Sequence, residues 1–300
     1  MKFTGIISPV HQFDDIWVKR EDLAHFTSLE FPSGSKVRQY MAMTVPKQLI
    51  GEHGYWEYKV PPCIVGCSSN SAMQVYVAAA AKQLNTKGII YTAKRKVRSD
   101  ATLYAEKMGA EIVEVKPGYL SVIRKATRQR VIDLKHVVEW DRRAAIQDTI
   151  DQCANIPEGV KRIIVPTGSG LTAAGVIIGL SRRGLGGWPH TGPIVVAVLT
   201  SPMTDHERIL KLVGHEPNPV RLQTIDQSTP YDIPVVESLP DGTPLDCFYA
   251  AKAWKYVRDG DCLWPPGLRP VISMPEICQQ KFKDWKGPTE WINSVTYLTP

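Results

Sequence analysis

The chain has 300 residues, 43% of them hydrophobic and 22% charged, with a net charge of +6. That is an ordinary globular composition, long enough to bury a sizeable core without disulfide or metal staples. No apolar run approaches the roughly 20 residues of a membrane span, so no membrane-spanning helix is expected. The stretch 94–143 holds 13 Lys/Arg against 7 Asp/Glu, which equals the whole net excess. It reads either as a solvated basic face or as an attraction for an acidic partner or polyanion. The six cysteines, at 63, 67, 153, 247, 262 and 278, form no CxxC pair, and the seven histidines include no HExxH. No metal site is therefore expected, and the cysteines read as reduced thiols of a cytoplasmic protein. The first residues, Met1-Lys2-Phe3-Thr4-Gly5, carry no apolar signal core.

Taken in chain order, the pattern alternates strand and helix, which predicts an α/β fold with parallel sheets. A buried strand is expected over 63–67, an alanine-rich helix over 71–84 and a strand over 87–92. A helix follows over 99–108, with Ser99 as its N-cap and Gly109 as its stop. A strand is expected over 111–115, helices over 120–132 and 144–154, and a strand over 162–166. A glycine-bearing turn then leads to an apolar helix over 172–180. The second half adds a strand over 193–199, a helix over 204–213 and a proline-rich irregular stretch over 216–243. It ends with a helix over 245–257, a short strand over 262–264 and the turn Pro265-Pro266-Gly267. Pro46 and Pro157 interrupt the pattern, which puts domain boundaries near 45 and 157.

Four segments carry candidate chemistry. The first is Arg20-Glu21-Asp22-Leu23, followed by Gly34-Ser35-Lys36-Val37-Arg38. Gly34 can relax the backbone beside Lys36, and a helix start disfavours a lysine cation. A pocket there would lower the amine's pKa and make it nucleophilic, as an imine-forming lysine needs; taken alone, such a lysine is an ordinary surface residue. The second is Gly66-Cys67-Ser68-Ser69-Asn70 at a strand-to-helix junction. Here Ser69 or Asn70 either caps the following helix or faces a ligand. In the ligand reading Asn70 donates its amide to a ring oxygen, and Ser69 meets a substrate carboxylate or carries a proton.

The third segment is Ile163-Ile164-Val165-Pro166-Thr167-Gly168-Ser169-Gly170-Leu171-Thr172. A buried strand runs into a glycine turn and a helix, so amide N–H groups can converge on a phosphate at the positive end of the helix. The absence of a following Gly-Lys-Ser/Thr excludes a Walker loop, and a dinucleotide fingerprint would need a glycine where Ala173 stands. The fourth is Asp246-Cys247-Phe248-Tyr249-Ala250-Ala251-Lys252-Ala253. Asp246 is expected to cap a helix there. Tyr249 is either a half-buried aromatic or a group beside a ring or an active-site proton.

In this order the four segments resemble the fold-type II, tryptophan-synthase-β-like pyridoxal-phosphate enzymes. They are most similar to the branch of 1-aminocyclopropane-1-carboxylate deaminase and D-cysteine desulfhydrase. The matching segments run from about Trp17 to Gly267, and Met108-Gly109-Ala110-Glu111-Ile112 is a further match. The resemblance implies two open, twisted, mainly parallel sheets with helices on both faces. It assigns 1–44 plus 157–300 to a larger cofactor domain and 45–156 to a smaller one, and it suggests a homodimer. The cofactor implied is pyridoxal 5′-phosphate, held as an imine by Lys36. Asn70 would meet the ring oxygen, Gly168, Ser169, Gly170, Leu171 and Thr172 would hold the phosphate, and Ser69 and Tyr249 would join Lys36 in catalysis.

Two departures from the pattern stand out. Ser71 replaces the deaminase histidine, and Pro265-Pro266-Gly267 replaces a threonine-glycine-glycine whose hydroxyl meets the pyridine nitrogen. The activity implied is that of a lyase or deaminase on a small amino acid. Two alternatives stand beside it. One is decarboxylation or replacement on an amino-acid group borne by a larger anionic substrate such as nucleic acid. The other is a cofactor-free binding protein on the same fold.

Overall fold

The computed structural model describes residues 7–23, 34–44, 61–118, 120–134, 138–139, 141–185, 192–202, 204–217, 219–227, 229–267 and 270–285. The chain opens with a hairpin of β1 (Val10–Phe13) and β2 (Ile16–Lys19). Asp14 turns it at φ 49°. Next comes α1 (Ser35–Thr44). An alternating run follows: β3 (Cys63–Gly66), α2 (Met73–Gln83), β4 (Gly88–Ala93), α3 (Asp100–Lys107), β5 (Glu111–Val115), α4 (Leu120–Leu134) and β6 (Val138–Glu139). These strands form one all-parallel sheet in the order β5-β4-β3-β6.

Helix α5 (Arg142–Gln152) leads to the second alternating run. This holds β7 (Arg162–Thr167), α6 (Leu171–Leu180), β8 (Ile194–Leu199), α7 (His206–Val213), β9 (Leu222–Asp226), α8 (Ala250–Trp254), β10 (Asp261–Leu263) and α9 (Glu276–Lys281). Its strands join the hairpin in a six-stranded sheet of order β1-β2-β10-β7-β8-β9. Here β1 pairs antiparallel and every other pair is parallel. The fold is therefore α/β with parallel sheets flanked by helices, as the alternation of apolar runs predicts.

Burial explains why these runs behave as they do. β7 and β8 are covered on both faces, so they read as continuous Ile/Val runs instead of alternating ones. Helix α6 is apolar on every side because it is buried nearly all round. It lies against α5 so closely that Thr149 and Cys153 occupy the space where side chains at Gly175 and Gly179 would stand. Each fully buried side chain such as Ile163 or Val196 contributes about 1.5–3 kcal/mol relative to exposure.

Several boundaries and two elements differ from expectation. Ser99 does cap α3, accepting from the Thr102 amide at 3.3 Å, and Gly109 follows at φ 94°. The stretch 216–243 is not irregular throughout, because Leu222–Asp226 adds β9 to the sheet edge beside β8. Its single alternating Leu-Gln-Thr-Ile run is short and half-exposed, which leaves a weak apolar signal. The helix expected over 245–257 spans only Ala250–Trp254. Asp246 Oδ1 instead accepts from the amides of Phe248 and Tyr249 (2.9 and 3.2 Å) and ties 246–249 into a turn before the helix begins. The residues near 45, where a boundary was expected, lie outside the described set. All six cysteines are buried in the interior, and none forms a disulfide with another described residue. Among the described residues no helix is long and apolar enough to cross a membrane.

Candidate active site

Adjacent parallel strands β10 and β7 both deliver loops at their carboxyl ends, where ligands bind in open α/β sheets. After β7 the chain enters Gly168-Ser169-Gly170, and Gly170 takes φ 84° as the residue before α6. The first turn of α6 presents amides that have no acceptor within their own helix. Thr204 Oγ1 donates to the Gly168 carbonyl at 2.5 Å and holds the turn's shape. A side chain at Gly168 would fall 2.6 Å from Cε1 of Tyr249, so the tyrosine ring lies directly on this loop. The Tyr249 hydroxyl is 2.9 Å from that of Tyr231, and the two rings meet edge to face.

After β10 the chain runs through Trp264 to Gly267, which forms a bridge with Gly34. Pro266 O accepts from both the amide (3.1 Å) and the hydroxyl (2.8 Å) of Ser35. The turn Pro265-Pro266-Gly267 is thus the strap that holds the start of α1. Gly34 has φ 146°, and a Cβ there would stand 2.7 Å from the Gly267 Cα and 2.9 Å from the Pro266 carbonyl. Only glycine fits both demands. Gly34→Ala is expected to cost about 1–3 kcal/mol and to lower the thermal midpoint; an unchanged midpoint would show that the strap is slack.

Lys36 lies one residue inside this strap, and its Nζ is 3.3 Å from Gln39 Oε1. Burial first of all pushes the amine down to about 8, while the negative charges of Asp148 and Glu21 hold it up and Arg38 depresses it. The lowered pKa expected at this position is present, and desolvation is its main cause. On the next face Val37 packs with Ala72, Tyr76 and Ala79, so α1 rests against the first turn of α2. That contact sets α1 beside the helix that follows the β3 loop.

That loop is held by its backbone. Gln74 Nε2 donates to the carbonyls of Ser68 (3.0 Å) and Ser69 (2.6 Å), and Thr102 Oγ1 donates to Gln74 Oε1 at 2.9 Å. Ser99 Oγ also donates to the Ser69 carbonyl. Neither Ser69 nor Asn70 caps α2; Ser71 Oγ accepts from the Met73 amide at 3.2 Å instead. The Ser69 hydroxyl, on a residue only 4% exposed, has no hydrogen-bond partner. A buried orphan hydroxyl is costly unless something meets it. Asn70 follows it, half-buried.

The residues with no assigned role in the sequence form the scaffold beneath Lys36. Arg38 is fully buried and binds Glu21 on one side and Asp148 of α5 on the other, the latter with Nε–Oδ1 at 2.8 Å. Glu21 also accepts from Ser8 Oγ (2.8 Å) and from Trp264 Nε1 (3.0 Å). Lys19 gives its ammonium to the carbonyls of Ser8 and Gln152 and to Asn155 Oδ1 (2.7, 2.8 and 2.6 Å). Arg20 pairs with Asp22 (2.7 Å) and Asp241 (2.6 Å). The charged run at 19–22 is therefore an internal frame. Its signal in the sequence was four consecutive charges directly after an apolar strand.

The residues present fit pyridoxal phosphate. A glycine turn at a helix start can take a dianion, a lysine amine is tuned toward neutrality, and an orphaned hydroxyl faces no partner of its own. No protein-family model matches the sequence, and neither does any curated protein. Solved structures do match in fold. An ACC deaminase homologue aligns with a TM-score of 0.61 at 17% identity, covering 84% of each chain. The processed form of threonine deaminase isoform 2 from Solanum lycopersicum aligns with a TM-score of 0.57 at 13% identity, over 93% of this chain and 82% of that one. An O-acetylserine-dependent cystathionine β-synthase from Helicobacter pylori gives 0.52 at 13% identity, over 89% and 95%. The chain thus shares the fold of the fold-type II pyridoxal-phosphate enzymes.

Proposed function

We propose that the chain is a pyridoxal-phosphate-dependent lyase or deaminase acting on an amino-acid group, with Lys36 as the residue that holds the cofactor. The observation that carries this reading is the Lys36 amine, depressed to about 8 and strapped by Gly34 and Ser35 to the loop after β10. The glycine turn after the neighbouring strand β7 supports it. The two sheets are proposed to belong to two domains, 1–44 plus 157–300 and 45–156.

Bound there, the cofactor would supply an aldehyde that captures amines and a ring that accepts an electron pair. Lys36 Nζ would bind the aldehyde carbon and, once released by an incoming amine, move a proton at the substrate's carbon. The amides of Gly168, Ser169, Gly170, Leu171 and Thr172 would hold the phosphate. Asn70 would orient the ring through its amide. The Ser69 hydroxyl, buried and unpartnered, would donate to the substrate carboxylate. Tyr249, joined to Tyr231 by a hydroxyl contact, would pass a proton at the mouth of the glycine turn.

The test is the absorbance of purified protein titrated with pyridoxal phosphate, followed by a screen of amino acids for spectral change and keto-acid release. A protein that develops no lysine-linked absorbance would overturn the reading. The pH dependence is also specified. Only the neutral amine attacks the aldehyde, so the rate of cofactor uptake should rise with pH and level off above about 8. An inflection near the ordinary lysine value of 10.5 would place the reacting amine elsewhere.

A further inference from the structure

Within the described basic stretch Arg98 is neutralised by carboxylates. Arg98 pairs with Glu106 (2.8 Å) and Glu114 (3.1 Å), and Lys87, just before the stretch, pairs with Glu111 (2.5 Å). Four other arginines form a group of their own. Arg124 and Arg128 of α4, Arg142 at the start of α5 and Arg208 of α7 make no ion pair with any described residue. They nonetheless stand close enough to act on one another. Burial, then the positive charges of Arg142, Arg208 and Arg128, push the Arg124 guanidinium below its usual value. Arg208 Nε is buried with no hydrogen-bond partner. Like charges gathered from three helices are destabilising on their own. The cluster is therefore expected to serve an anion.

Its position follows from the packing. Ile123 and Thr127, each one residue before an arginine of the cluster, lie over Gly66 at the carboxyl end of β3, just ahead of Ser69. Arg142 follows the carboxyl end of β6, beside β3 in the same sheet. Ile209 and Leu212 of α7 lie against Gly170 in the candidate phosphate turn, and Thr204 just before α7 is bonded to Gly168. Arg124 and Arg208 thus come from opposite sheets, and both flank loops of the candidate site.

We propose that Arg124, Arg142 and Arg208 form a subsite for phosphate groups of the substrate, so that the amino group processed at Lys36 is carried on a phosphate-bearing molecule. This rests on the cofactor reading above and names the substrate class for the same site. Guanidinium groups bind phosphate oxygens through paired N–H donors, and three from separate helices give a fixed geometry that a diffuse basic face lacks. Arg128, on the exposed side of α4, extends the same strip outward.

The test uses the cofactor-loaded protein and two probes, inorganic pyrophosphate by calorimetry and a fluorescein-labelled single-stranded 20-mer by anisotropy. Arg142→Gln, Arg208→Gln and Arg124→Gln are compared with the parent between 50 and 200 mM NaCl. The parent should bind at least one probe, and each variant should weaken it about tenfold, the scale of one charged hydrogen-bond contact. For the oligonucleotide, each substitution should flatten the slope of log K against log salt by about 0.7. Strong binding of pyrophosphate alone supports a small phosphorylated substrate, and much tighter binding of the 20-mer supports one borne on nucleic acid. Binding of neither probe, or variants that bind like the parent, would overturn the subsite. So would variants that lose pyridoxal-phosphate affinity in parallel, because the arginines would then serve the cofactor. Arg142 is exposed, so its substitution keeps the test valid if a more buried variant misfolds. Absent lysine-linked absorbance with phosphate binding intact would instead sink the cofactor reading and leave the anion site standing.

Discussion

Lys36→Ala should abolish the lysine-linked absorbance of added pyridoxal phosphate and lower turnover by about 10⁴-fold or more, because one amine both anchors the cofactor and moves the proton. The prediction is sharp because the chain holds a competitor. Lys19 is also pushed down to about 8 by burial, first of all, against the charge of Glu21. A lowered pKa therefore does not by itself single out Lys36. What separates the two is where the chain holds them. Lys19 donates to three acceptors between 2.6 and 2.8 Å and lies 5.5 Å from the centre of the Trp264 ring. That cage holds a cation in place and leaves the amine no path to an aldehyde. Lys36 directly follows Gly34 and Ser35, which are strapped to the loop after β10 at the carboxyl end of the sheet. Lys19→Ala should consequently leave the absorbance in place while lowering stability. Absorbance that survives Lys36→Ala and disappears in Lys19→Ala would reverse the assignment.

The comparison of these two lysines shows what the sequence could and could not reveal. The alternation of apolar runs was legible along most of the chain. Parallel strands buried on both faces, such as Ile163-Ile164-Val165, and helices closed by Ser99 and Gly109 announce themselves through local chemistry. The glycine turn at 168–170 was legible for the same reason, since its conformation depends on residues adjacent in the chain. The hairpin at 10–19 and strand β9 were not, because they are short and become strands only through their neighbours across the sheet. The frame under Lys36 was invisible for a further reason. Glu21, Arg38 and Asp148 are separated by 17 and 110 positions, and nothing local marks charges that will meet in the interior. Capping by Ser69 was likewise not decided by residue type, since the Met73 amide goes to Ser71 Oγ.

Glu21→Gln should be the most destabilising conservative change in the molecule, costing about 3 kcal/mol or more in urea unfolding. Glu21 is buried, which by itself would raise its pKa. The charge of Arg38, then its hydrogen bond, then the charge of Lys19 overcome this and hold the carboxyl below its usual value. Because the folded-state pKa is depressed, its contribution is complete above the ordinary value of 4.5 and is lost as pH falls through the folded value. The glutamine keeps the shape and can still accept from Trp264 Nε1. It removes the charge that faces two buried cations, leaving Asp148 alone to balance Arg38. Glu207→Gln, in an exposed pair with Lys211, serves as the control and should leave the urea midpoint unchanged. The change should also reach the candidate site. The Glu21 charge raises the pKa of Lys36, so its removal should move the inflection of cofactor uptake below about 8. A structural role alone predicts loss of stability with that inflection unmoved. A joint shift would show that the carboxylate bracing the fold also sets the protonation of the Lys36 amine.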